Sequence, residues 1–93
     1  MREKQIERKL SIATKKMGGI ALKFVSSSLD GMPDRIVLLA HGKMAFVELK
    51  APDKKLRPLQ EKRKRQLEAL GFSVFVVDSI EQIGGILNEI RST

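Results

Sequence analysis

The chain has 93 residues, with 18 Lys or Arg against 11 Asp or Glu, for a formal charge of +7. That length holds one domain with one modest core, expected to span 1–93, and 42 % hydrophobic residues suffice to fold it, which excludes a disordered basic tail. Having no cysteine and one histidine, His41, it offers no disulfide scaffold, thiol nucleophile, His-based zinc site or Ser-His-Asp triad. No run approaches the roughly 18 apolar residues of a membrane span, and the N-terminus has no apolar signal core, so a soluble, untargeted chain is expected. The charge points to a polyanion, because Lys and Arg neutralise phosphates and release condensed counterions. All four aromatics are Phe in apolar runs that read as buried, so recognition by backbone and shape is expected rather than base stacking.

In chain order, Ile6, Leu10, Ala13 and Met17 form one helical stripe within 1–17, closed by Gly18-Gly19. Ile20–Val25 reads as a strand and Ser26–Pro33 as a loop. Arg35–Ala40 and Met44–Lys50 read as a hairpin around His41-Gly42-Lys43, and Ala51–Leu56 as a second loop. Pro58 opens a helix carrying Leu59, Leu67 and Leu70, ended by Gly71. Phe72–Val77 runs apolar, as a central strand covered on both faces would. Ser79 with Gln82, or Asp78 with Glu81, starts a last helix whose stripe is Ile80, Ile83, Leu87 and Ile90. Gly84-Gly85 within it implies close packing on the sheet or on a second subunit. The resulting α-β-β-β-α-β-α order, with a late strand–helix–strand crossover, predicts an α/β fold: a mixed four-stranded sheet flanked by helices on both faces.

The chemistry concentrates in Gly31-Met32-Pro33-Asp34-Arg35 and in Glu48-Leu49-Lys50. Side chains alternate faces along a strand, so Glu48 and Lys50 project together while Val47 and Leu49 point away. A carboxylate and an ammonium in so apolar a run suit a hard cation on Glu48, with Lys50 on a phosphate oxygen or the attacking water. Whether Asp34 joins them depends on hairpin register. A three-residue loop at 41–43 would place Ile36 opposite Glu48 and Asp34 opposite Lys50, diagonal to Glu48 on one face. A two-residue turn without a bulge would separate the carboxylates. Glu3 and Glu7, one turn apart in the first helix, could supply another carboxylate, and Gln60 in the first turn of the second helix could orient Lys50 or a phosphate. Oxygen ligands without His or Cys favour Mg²⁺ or Mn²⁺. The chemistry would be phosphodiester hydrolysis.

Pro33-Asp34, Glu48-Leu49-Lys50 and Gln60 resemble the PD-(D/E)xK nuclease superfamily, whose core is the restriction-endonuclease-like fold. With the first-helix glutamates and Phe46-Val47-Glu48-Leu49-Lys50, nearly the whole chain resembles the virus-type replication-repair nuclease (VRR-Nuc) domain in its short phage or bacterial form. The resemblance implies that Asp34, Glu48 and the Leu49 carbonyl hold the metal, that Lys50 is the catalytic lysine and that Gln60 is an accessory. The family's helix-one glutamate maps best to Glu7, with Glu3 a turn away. It also implies a metal-dependent DNA endonuclease selective for branched structure, similar to homodimeric resolvases of four-way junctions. A bacterial or phage-infected cytoplasm follows from the same resemblance.

Phosphate contacts are expected at Lys23, Lys54, Lys55, Arg57, Lys62 and Arg65, although a run such as 62–65 spans all sides of a helix. Plainer roles stand beside each assignment: Asp34 as a turn initiator, Glu48 with Lys50 as a solvated strand face, Gln60 as a helix cap. Two other functions compete, a non-catalytic nucleic-acid-binding module and a nicking enzyme or exonuclease of the same superfamily. The binding module leaves the paired acids unexplained.

Overall fold

The computed structural model describes residues 2–93. Its elements are α1 (Glu3–Lys16), β1 (Ile20–Lys23), β2 (Arg35–Leu39), β3 (Lys43–Leu49), α2 (Pro58–Ala69), β4 (Val74–Val77) and α3 (Ile83–Ser92), with 3₁₀ turns at Ala40–Gly42 and Ile80–Gln82. The sheet order is β1-β2-β3-β4, antiparallel except for the parallel β3–β4 pair. Among the described residues, no helix is long and apolar enough to cross a membrane.

Strand alternation divides the molecule into a packing face and a chemical face. Val37, Leu39, Ala45, Val47, Leu49 and Val77 point to one side, where Ile6 and Leu10 of α1 and Ile83, Leu87 and Ile90 of α3 cover them. This is the main core, and each fully buried aliphatic side chain contributes about 1.5–3 kcal/mol. The other face is covered only in part. There α2 lays Leu67 over Phe46 and Val74, joined by Phe24, Met32, Ile36 and Met44. Phe46 also meets Phe24 and Phe72, with ring centroids 6.0 and 5.8 Å away. Beyond α2 the β1–β2 half of this face is open: Ile20 is 60 % exposed, Leu22 36 % and Leu38 39 %.

Several expectations from the sequence are corrected. The last strand starts at Val74 and lies at the sheet edge, not its centre, because the crossover through α2 sets it on the side of β3 that β2 leaves open. Its apolar run therefore reflects cover from both helix layers rather than strands on both sides. Leu59 and Leu70 are exposed, leaving Leu67 as the core residue of α2. Phe72 is 43 % exposed, edge-on to Phe46. The first strand ends at Lys23, and Val25 is exposed. Of the two expected capping boxes, Ser79 with Gln82 forms and opens the 3₁₀ turn that leads into α3, Gln82 Oε1 accepting from the Asp78 and Ser79 amides at 2.9 and 3.1 Å.

The hairpin loop has three residues but occupies 40–42, with His41 and Gly42 both at positive φ (67° and 70°). Lys43 is thereby extended and joins β3, so the register pairs Ile36 with Phe46 and Arg35 with Val47. The shift of two residues from the expected register preserves every side-chain face. Continued by one residue, it sets Asp34 opposite Glu48 itself.

Two kinds of glycine have opposite consequences. A Cβ on Gly19 would lie 2.4 Å from the Leu38 carbonyl oxygen and 2.6 Å from Leu39 Cδ2, so this position admits only glycine where α1 turns onto β1. Around Gly84 and Gly85 a Cβ would meet nothing within 4 Å, so the expected close packing is absent within the chain. Gly19→Ala should lower unfolding free energy by about 1–3 kcal/mol through overpacking. Gly84→Ala should raise it by about 0.5–1 kcal/mol through helix propensity, both read from urea unfolding curves.

Candidate active site

The chemistry-bearing residues meet on the partly covered face, at the end of β3 nearest the start of α2. Glu48 is 6 % exposed, and its side chain sits where strand alternation puts it, with Phe46 on one side and Lys50 on the other. Asp34 precedes β2 by one residue and is tied to β3 by two crossed contacts. Its own amide donates to Glu48 Oε1 at 3.1 Å, and the Leu49 amide donates to Asp34 Oδ1 at 3.1 Å. Lys50 Nζ lies 3.7 Å from Glu48 Oε2. Gln60 Nε2 donates to the same oxygen at 2.8 Å.

Gln60 is the helix cap that its position allowed, and its side-chain amide meets Glu48 rather than the expected Lys50. Its Oε1 accepts from the Arg57 amide at 2.9 Å, capping the first turn of α2, while its amide nitrogen fixes Glu48. The helix start is itself set by Gly31, which has φ +83° and where a Cβ would fall 2.8 Å from Leu59 Cγ. The Gly31-Met32-Pro33-Asp34 segment thus works as a unit: Gly31 admits α2, Met32 joins the smaller core, Pro33 is buried and Asp34 enters the site.

Burial governs the electrostatics. Desolvation, then the neighbouring Asp34 carboxylate, raises Glu48 from 4.5 to about 7, against the lowering effect of Lys50. Asp34 is raised as well, chiefly by desolvation, against the Leu49 amide and Arg35. Two carboxylates so placed favour a shared cation, which would relieve both burial and mutual repulsion. Only two acidic side chains come together in this way, since no group of three metal-ligating side chains (His, Cys, Asp or Glu) is gathered among the described residues.

The first-helix glutamates separate. Glu3 contributes to raising Glu48, so its charge falls within the site's field. Glu7, the better match by resemblance, is drawn to the sheet's other side, where its Oε2 lies 2.5 Å from Arg35 Nη2. Arg35 is the residue that sequence reasoning missed. It is 7 % exposed and its Nη1 donates to the Asp34 carbonyl at 2.8 Å. The available signal was parity: Arg35 shares the core-facing side with Val37 and Leu39, where a charge needs a partner.

The expected phosphate contacts are all exposed: Lys23, Lys54, Lys55, Arg57, Lys62 and Arg65. Lys54, Lys55 and Arg57 lie on the loop joining Lys50 to α2, and a cleft of about 580 Å³ lined by Asp30, Gly31, Arg57, Pro58, Leu59 and Gln60 opens beside it. Within the 62–65 run, Arg63 is committed to the Asp30 carbonyl and Lys64 to Glu68, whereas Lys62 and Arg65 face solvent. Lys23 stands apart, lining a groove with Lys4, Glu7, Arg8 and Ser11.

Comparison with known proteins agrees with this architecture. A curated phage protein, "Putative nuclease p44" of Acyrthosiphon pisum secondary endosymbiont phage 1, is 49 % identical over 91 residues, covering 98 % of this chain and 97 % of its own length. A solved structure titled "VRR_NUC domain" superposes with a TM-score of 0.85 at 28 % identity, covering 92 % of this chain and 94 % of its own. The restriction-endonuclease-like α/β fold expected from the sequence is therefore present. The VRR-NUC domain model matches residues 2–81, and the chain belongs to this family of nucleases.

Proposed function

We propose that this nuclease is a divalent-metal-dependent endodeoxyribonuclease that cuts branched DNA, four-way junctions in particular, as a homodimer. The Asp34–Glu48 pair carries the reading: it concentrates negative charge in a basic protein, at a site that Lys50 and Gln60 complete. Asp34, Glu48 and the Leu49 carbonyl would hold Mg²⁺ or Mn²⁺, which when bound polarises phosphoryl oxygens and lowers the pKa of water. The chain's own groups do the rest. Lys50, held beside Glu48, offers its ammonium to the phosphate charge that grows during in-line attack. Gln60 keeps Glu48 in one rotamer. Lys54, Lys55 and Arg57 hold flanking phosphates, with Lys62 and Arg65 extending the track, while Lys23 would meet a more distant phosphate from its separate groove.

A second copy is supported by the open half of the catalytic face, where Ile20, Leu22 and Leu38 present apolar surface unsuited to DNA. Resolving a four-way junction takes two coordinated cuts, which a two-fold dimer supplies with two equivalent sites. The bacterial or phage-infected cytoplasm is the proposed setting, in keeping with the phage origin of the relative.

The discriminating assay incubates the protein with labelled duplex, flap and four-way-junction DNA, with and without Mg²⁺ or Mn²⁺. Paired symmetrical cuts in the junction, abolished by chelation and reduced at least ~100-fold in Asp34→Ala and Lys50→Ala, are expected. Progressive shortening or single nicks would favour an exonuclease or nicking enzyme. Binding without metal-dependent cleavage would sink the proposed endonuclease mechanism.

Titration gives an independent prediction. With Glu48 raised to about 7 from 4.5, the metal-free fold holds a proton that the unfolded chain has already released between those values. This contribution to stability is present below pH 4.5 and lost as pH rises through 7. The thermal midpoint without metal should therefore carry a falling component across that window. Metal uptake requires the ionised form, so Mg²⁺ binding near pH 6.5 should release protons and tighten toward pH 8, as calorimetry in buffers of different ionisation enthalpy would show. Proton-neutral binding would contradict the assignment of Glu48.

A further inference from the structure

We propose that Arg35 is a positioning residue for Asp34, and that it couples the seating of α1, through Glu7, to the geometry of the metal-binding carboxylates. The inference rests on the reading that Asp34 and Glu48 hold the metal. Asp34 lies one residue outside the β2 ladder, where a single main-chain bond from Phe24 continues the strand pairing. Its amide is spent on Glu48 Oε1, and its carbonyl accepts both the Phe24 amide at 2.9 Å and Arg35 Nη1 at 2.8 Å. These contacts hold the Asp34 main chain, while the Leu49 amide holds its carboxylate oxygen. Of them, only the Arg35 contact reaches through to the opposite side of the sheet.

Arg35 Nη2 lies 2.5 Å from Glu7 Oε2, so one planar guanidinium bridges a helix carboxylate and the main chain of a site residue. Stability alone explains this arrangement poorly. An ion pair with one end in solvent adds little stability, and Arg35 stands on a face otherwise occupied by Val37 and Leu39. The fork geometry accounts for it better. A guanidinium presents two donors at fixed angles to two acceptors, whereas a lysine at the same place would be a single point charge. Glu7, 42 % exposed at its side chain, is the solvent end of the relay.

The test measures Mn²⁺ binding to the metal-free protein by titration calorimetry, below each variant's melting transition, for wild type, Arg35→Met, Arg35→Lys and Glu7→Gln. Arg35→Met should weaken Mn²⁺ about 10–100-fold, as loss of an outer-sphere partner does. Arg35→Lys should recover part of that loss, and Glu7→Gln should show a smaller loss in the same direction. On junction DNA, Arg35→Lys should lower kcat while leaving KM for DNA near the wild-type value. Lowered melting temperatures with wild-type Mn²⁺ affinity in all variants would reduce Arg35 to a structural ion pair and overturn the proposal. Should Arg35→Met fail to fold, unchanged affinity in folded Arg35→Lys and Glu7→Gln overturns it equally. A wild-type protein that takes no Mn²⁺ refutes the metal reading, and the relay falls with it. Wild-type binding with indifferent variants refutes the relay alone.

Discussion

A buried and a half-buried carboxylate, held against each other by main-chain amides, are the constraint on which this molecule turns. Glu48 accepts from the amide of Asp34, and Asp34 accepts from the amide of Leu49. Each acid is thus oriented by the backbone that bears or flanks the other. Such an arrangement is costly, because burial opposes ionisation of both groups. The surrounding structure supplies what keeps it in place. Gln60 and Lys50 converge on the outer Glu48 oxygen, α2 is seated by Gly31, and Arg35 holds the Asp34 carbonyl from behind.

The two faces of the sheet divide the work. One side, sealed by α1 and α3, concentrates the aliphatic core that holds so short a chain together. The other is covered in part by α2 and the segment carrying Phe24 and Met32, leaving its end free for chemistry and its β1–β2 half free for contact. Arg35 crosses that division, being the charged residue of β2 on the sealed side, one position from the acid on the open side.

The sequence carried most of this at the level of pattern and less at the level of neighbours. Helix stripes, glycine stops and strand parity made the element order legible, and parity alone brought Glu48 and Lys50 to one face, whereas Asp34 joined them only through an odd-length hairpin loop. Register itself was off by two because His41 tolerates a left-handed backbone there, so the turn sits one residue earlier than a Gly-Lys ending suggested. The edge position of β4 was hidden because a strand covered by helices on both faces reads as apolar as a central one. Glu3 and Glu7 could not be told apart from spacing, since the distinction lies in which side of the sheet offers a cation. The open surroundings of Gly84 and Gly85 follow from no local pattern, and nothing within the chain explains the two glycines.

The short turn between β2 and β3 bears on how this chain can vary over time. Its residues touch no part of the catalytic centre, yet an indel of one residue there would rotate either Asp34 or Glu48 to the far side of the sheet. An indel of two residues would keep both in view. Length changes there should accordingly survive only in even steps, and substitutions only where the left-handed backbone at 41 and 42 permits them.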